Sequence, residues 1–232
     1  ENHLTGTGIE IATLSVPEGG QVTVTVTSTP DANAAGKVAL RVQLYSAAAG
    51  SKPEFAAQLG AFKAWSDATD SRTRPDTFKE TGLANINQAI SSLESEHGDA
   101  ALAAQAHLLK AKLLNYYKLD QRESRAAAQR ASQAFASLPA PDALDLARAR
   151  YMEALALIGM SADGDSVDPT PDEARKLAVD ILEALAAPGS TLGPVERARA
   201  LGTLAHLDLR MMRAKEATSR FEHARSLYQA AG

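Results

Sequence analysis

Two hydrophobic periods divide the chain. Between residues 9 and 45 apolar and polar positions alternate. Val22, Val24 and Val26 interleave with Thr23, Thr25 and Thr27, the period of a strand with one buried face. Val38, Leu40, Val42 and Leu44 repeat the pattern against Ala39, Arg41, Gln43 and Tyr45. Ile9, Ile11, Leu14 and Val16 predict a third strand, whose phase slips near Thr13 as at a bulge. Pro17-Glu18-Gly19-Gly20 is turn chemistry that closes a hairpin between the first two strands. Three strands bury little by themselves, so residues 1–50 read as a partial β-sandwich.

From Pro53 onward the period is that of helices. Pro75, Pro139, Pro141, Pro169, Pro171, Pro188 and Pro194 fall between the periodic runs and divide residues 51–232 into about eight helices. Asp142, Asp172 and Ser190 or Thr191 stand where N-caps are wanted, and Ser161 to Thr170 reads as the longest loop.

Four helices share a stripe of small and large residues. Gly82, Ile86, Ala89 and Leu93 are separated by steps of 4, 3 and 4. The same steps join Ala127, Ala131, Ala134 and Leu138, then Ala174, Ala178, Ile181 and Leu185, then Ala217, Phe221, Ala224 and Tyr228. The runs start 45, 47 and 43 residues apart. A small residue in the first turn lets a neighbouring helix cross closely, and the larger residues fill the groove beyond it. The partner helices between the runs are Ala100 to Leu119, Ala143 to Gly159 and Val195 to Met212. The fold expected is mainly α: a right-handed superhelix of antiparallel helix pairs preceded by a short antiparallel β segment.

Composition supports a stack over a globule. Apolar residues make up 45% of the chain but aromatics only 5%, so close helix contacts must replace one aromatic-rich core. A net charge of −4 disfavours nucleic acid and anionic membrane as partners. Zero cysteines exclude disulfides, thiolate metal sites and a cysteine nucleophile. No apolar run reaches the ~20 residues that span a bilayer, so this segment is expected not to insert in a membrane. The chain opens on Glu1 inside what reads as a domain and stops at Gly232 just after a helix, the look of a fragment of a longer protein.

The last unit, with Leu201, Leu204 and Ala205 and then Ala217, Phe221 and Ala224, resembles a tetratricopeptide repeat. It departs at Asp208, where the family prefers an aromatic, and at Met212, where it prefers glycine. The other units have periods longer than the ~34 residues of that motif, within the range of HEAT-like pairs. A proline-glycine hairpin, the strand Gly36-Lys-Val-Ala-Leu-Arg-Val, alanine-rich helical repeats and the phrase Ser95-Glu-His-Gly-Asp99 together resemble the middle region of bacterial CHAT proteins. In these caspase-like proteases a small β-sandwich precedes tetratricopeptide repeats. The resemblance implies a segment of a multidomain bacterial protein, outside the cytoplasm if the β segment is a guide. The protease itself, with its cysteine, is not in this sequence.

Candidate chemistry is sparse. The five histidines form no metal spacing. Asp163-Gly164-Asp165 with Asp168 hints at a calcium loop, but the twelfth position, which needs a Glu, holds Ala174. Gly6-Thr7-Gly8 and Gly19-Gly20 lack the pattern of a phosphate cradle, and no serine sits in a nucleophile elbow. Lys110, Lys112 and Lys118 with Tyr116 and Tyr117 read as a solvated helix face before a nucleic-acid patch. No enzymatic site and no cofactor is expected.

The expected function is therefore a protein-protein interaction scaffold. In a stack of helix pairs the first helix of each pair lines the concave face, where a ligand peptide is held. The candidate contact residues are Lys112, Asn115, Tyr116, Arg148, Arg199, His206 and Arg210. Their basic lean favours an acidic or carboxylate-ended peptide. The alternative is the sensor region of a signalling protein such as a diguanylate cyclase.

Overall fold

The structure is a computed structural model of the 232-residue chain and describes residues 76, 78–95, 99–163 and 168–231. The β strands expected within residues 1–50, and the start of the helical region, lie outside the described residues. A π-helical turn, Phe78–Gly82, runs straight into α1, Leu83–Leu93. Six longer helices follow: α2 Ala100–Tyr116, α3 Gln121–Ala136, α4 Ala143–Asp163, α5 Pro171–Ala186, α6 Pro194–Arg210 and α7 Ala214–Ala231. No strand occurs among the described residues.

Local chemistry sets the starts. The Asp99 carboxylate accepts from the backbone N–H of Ala101 and Leu102, and that of Asp120 accepts from Glu123 at 2.8 Å. Asp142 accepts from Leu144 at 2.7 Å, as expected of a residue opening α4. Two expected caps are corrected. Thr170, not Asp172, caps α5, in a capping box with Glu173. Gly193, not Ser190 or Thr191, stands before α6. The reason is the same in both: a proline takes the first helical position, where its missing N–H costs nothing, and so fixes where the helix begins. The expected Ser161–Thr170 loop also starts late, because α4 continues through Asp163.

The ends of α2 and α6 are built alike. Lys118 (φ 52°) and Met212 (φ 61°) adopt the left-handed conformation one residue past the cap. Leu119 N–H then bonds to Leu114 C=O at 3.1 Å, and Lys118 N–H to Asn115 C=O at 3.1 Å. Arg213 to Asp208 at 2.9 Å and Met212 to Leu209 at 3.0 Å reproduce both bonds on α6. Each is a Schellman ending, which satisfies the last carbonyls and turns the chain sharply into the next helix. Counting back from the left-handed residue makes positions equivalent: Lys112 with His206, Tyr116 with Arg210, Gln105 with Arg199, and Leu114 with Asp208.

Each helix packs on the next one in the chain, and α2 also packs on α4. Partners run in opposite directions. Ala111 on α2 meets Ser124 on α3, whereas Asn115 meets Gln121. On α6 and α7, His206 meets Phe221 and Asp208 meets Arg220. Three buried clusters result among the described residues: Ile86, Ala89 and Leu93 with Ala103 and Ala106; Leu108 and Ala111 with Ala128, Ala131 and Phe135; and Leu157 with Ala178, Leu182 and Leu204. α2 and α4 each belong to two clusters, which is why both are apolar nearly all round.

The small residues of the repeated stripe do what their size allows. Ala89, Ala127, Ala131, Ala174, Ala178, Ala217 and Ala224 are all buried. The buried face is wider than the stripe, since Phe135 and Leu182 take the deepest places beside the half-buried Ala134 and Ile181. Tyr228, the last of the stripe, stays 46% exposed.

Two outcomes test this account of packing and turn. Leu182→Ala removes a fully buried side chain and is expected to cost ~2–5 kcal/mol in urea unfolding. Met212 is 90% exposed, so Met212→Gly loses no burial and relieves the left-handed backbone. It is expected to raise stability by about 1 kcal/mol in the same measurement.

Candidate functional site

Two hydrogen-bonded links join α2 to α4 and α4 to α6. Gln105 Nε2 on α2 donates to Asp145 Oδ2 on α4 at 2.6 Å. Arg148 Nη1, one turn along α4, lies 3.2 Å from Asp145 Oδ1. Tyr151 Oη on α4 meets Thr203 Oγ1 on α6 at 2.8 Å, and the same threonine hydroxyl donates to the backbone carbonyl of Arg199 at 3.2 Å. Along the aligned helices, Arg148 and Asp145 of α4 and Arg199 of α6 all act electrostatically on Lys112 of α2.

The cluster is recessed and short of negative charge. Lys112 is half-buried, the Arg148 side chain is 20% exposed, and Arg199 is exposed at the edge. Burial is the main force holding the Lys112 ammonium below its ordinary pKa, and Arg148 and Arg199 push the same way against the pull of Asp145. Asp145 is the one carboxylate among the groups acting on Lys112, and it is already engaged by Gln105 and Arg148. Among the described residues, the side chains of Lys112 and Arg199 make no hydrogen bond or ion pair.

The other expected site residues divide. Tyr116 is 73% exposed, one helical turn beyond Lys112, with its ring edge-on to Tyr117 at 5.0 Å. Asn115 is instead committed to the α2–α3 corner, where its Nδ2 donates to Gln121 Oε1 at 3.1 Å. His206 is exposed but lies edge-on to Phe221 of α7 at 5.1 Å, and Arg210 is exposed at the far end of α6. Sequence reasoning missed Gln105, Asp145, Tyr151 and Thr203, which carry the links. Asp145 and Arg148 stand at an i, i+3 spacing and could have been paired from sequence; the contacts across helices carry no such local signal.

The three lysines of α2 and its end do not form one patch. Lys110 Nζ is taken by Asn87 at 2.7 Å and Glu123 at 2.6 Å, Lys112 faces the cluster, and Lys118 is the left-handed turn residue. His107 is buried, with Nε2 at 2.7 Å from Glu94 Oε1, and ties α2 to the end of α1.

A concavity of about 300 Å³ lies between α5, α6 and α7 and is lined by Asp172, Arg175, Lys176, Glu183, Asp208 and Arg220 among others. Its charges are largely matched within the chain. Arg175 meets Asp172 at 3.0 Å, and Arg220 meets Glu183 at 3.1 Å. The buried Asp208 Oδ2 lies 3.1 Å from Arg220 Nε, an ion pair too bent for a good hydrogen bond. Asp208 holds the position that Leu114 fills on α2, so here an ion pair to α7 replaces apolar filling. Among the described residues no group of His, Asp and Glu side chains could hold a metal ion, and no helix is long and apolar enough to cross a membrane.

Protein-family models, curated proteins and solved structures were compared with the chain, and none matches.

The charges that act on Lys112 can be removed one at a time. Arg199→Ala is expected to move the Lys112 pKa up toward its ordinary value, and Asp145→Asn to move it further down; NMR titration of the lysine side chain reads both. Because the folded pKa is the lower one, the unfolded chain binds more protons at Lys112 between the two values. The Lys112 contribution to stability therefore rises with pH through that window below 10.5.

Proposed function

We propose that the chain is a non-enzymatic binding module that holds an acidic peptide segment of a partner protein across α2, α4 and α6. The observation that carries this reading is that Arg148 of α4 and Arg199 of α6 both act on the half-buried Lys112 of α2, while the one carboxylate acting on it, Asp145, is already engaged. Cations brought together in a recess repel one another and lose hydration, so the arrangement costs stability unless something negative completes it. An extended chain lying across the three helices would meet each cation in turn, and Tyr116 would offer it an apolar surface at one end.

The wider frame belongs to the same proposal. The helix pairs α2/α3, α4/α5 and α6/α7 form a tetratricopeptide-like right-handed superhelix, with α2, α4 and α6 as the first helices on its concave face. What supports this is the paired order, the matching ends of α2 and α6, and the buried small-residue stripes. The segment serves as a scaffold within a larger bacterial protein, on the extracytoplasmic side.

An array of short acidic, neutral and basic peptides probed with the purified chain tests the reading. Acidic peptides are expected to bind, with affinity falling as salt rises, and basic ones not to bind. Arg199→Ala should weaken the acidic set by about tenfold, or ~1.4 kcal/mol. Equal binding of acidic and basic peptides would overturn it.

A further inference from the structure

The last helix pair lacks a neighbour that the earlier pairs have. α4 packs on both α2 and α3, and α6 packs on α5 while its Thr203 bonds to Tyr151 of α4. Each of these helices thus lies along the groove of the pair before it. Among the described residues no helix takes that place on α6 and α7. Independently of the peptide-binding reading above, we propose that the outer groove between α6 and α7 docks an α-helix of a partner protein that carries a carboxylate in its first turn.

The residues along this groove leave room for a helix and apolar surface to hold it. Counting back from the left-handed residues places Gly202 on α6 where α2 has Leu108. Leu108 is buried in one cluster with Ala149 and Met152 of α4. A Cβ added at Gly202 would instead meet nothing within 4 Å beyond its own stretch of helix. A glycine inside a helix costs stability, and its use is to let another backbone approach closely. Leu209, seven residues along the same face of α6, is 46% exposed. On α7, Phe221 is half-buried against His206, and Tyr228, two turns further along the same face, is exposed. The earlier stripes end differently: Leu93 and Leu185 are buried, and Leu138 packs on the cluster that α4 completes.

The pair α2/α3 shows which charge the docked helix brings. Gln105 of α2 donates at 2.6 Å to Asp145, which stands in the first turn of α4. Arg199 holds the place of Gln105 on α6, is exposed, and makes no side-chain hydrogen bond or ion pair among the described residues. A helix lying on α6 as α4 lies on α2 would bring its first turn to Arg199. A carboxylate there is engaged by the guanidinium fork through both oxygens and is also favoured by the positive end of its own helix.

The test titrates the whole chain with three helical peptides of about 20 residues, long enough to hold helix in water. They share an alanine-rich body with a leucine stripe and differ at one first-turn position: Asp, Asn or Lys. Fluorescence anisotropy is expected to show the Asp peptide bound about tenfold tighter than the Asn peptide, with the Lys peptide weakest. Gly202→Glu puts a side chain into the groove and gives Arg199 a carboxylate three residues away, so it should weaken the Asp peptide at least about tenfold. Tyr228→Ala should weaken all three peptides by about tenfold. Far-UV circular dichroism should stay helical in both variants, since one site opens on free space and the other is exposed. Unchanged affinity of the Asp peptide for Gly202→Glu would overturn the docking site, as would no binding by any of the three peptides. Equal affinity for the Asp and Lys peptides would overturn the carboxylate. A dimer of the chain that Gly202→Glu dissociates would assign the groove to a second copy and overturn the partner helix.

Discussion

Close approach of helices at alanine is the constraint on which the rest depends. An alanine adds little apolar area of its own, so the chain gains burial by bringing backbones near enough for the leucines of one helix to reach the next. Ala104, Ala106, Ala111, Ala128 and Ala131 are wholly buried or almost so around α2 and α3, and Leu108, Leu114 and Phe135 fill what remains. Such packing tolerates little change in volume, and it fixes how each helix sits on its neighbour. Three linked clusters follow instead of one central core.

That packing also positions the cationic cluster. α2 and α4 serve two clusters each, which leaves between them a strip of polar positions. Gln105, Asp145, Arg148, Tyr151 and Thr203 use that strip for hydrogen bonds between first helices. The turns contribute as much as the bonds. With the left-handed residues Lys118 and Met212 fixing the ends of α2 and α6, the strip begins at a set distance from each turn. A glycine would make either turn at lower cost. Lysine and methionine make it because the two Schellman hydrogen bonds and the packed helices hold the backbone there.

What could be read in the sequence follows the range of each interaction. Helix positions, the repeated small-residue stripe and the Asp142 cap were legible because each depends on residues within a few positions of one another. The starts of α5 and α6 were misplaced where a capping residue was preferred to the proline beside it, and Pro171 and Pro194 decide both. At the site, Lys112, Arg148 and Arg199 were singled out as polar residues on apolar helices, and Arg148 and Arg199 both act on the charge of Lys112. Asn115 was misjudged because its partner Gln121 lies across a turn. Asp145 was missed because its bond to Gln105 spans 40 residues, a distance over which no periodic pattern speaks.

The cluster stands out because it breaks the consistency that the rest of the chain keeps. Elsewhere the charges near buried surface are matched: Asp208 with Arg220, Lys110 with Glu123, His107 with Glu94. Among the described residues, Lys112 is the group whose charge burial disfavours while two like charges add to the effect. Gln105 and Thr203 use their polar atoms in the register bonds and supply no negative charge there. Breaks in local consistency are the places where function is expected to outweigh stability. The proposed binding face on α2, α4 and α6 is such a place, whereas the cleft between α5, α6 and α7 has its charges largely satisfied from within.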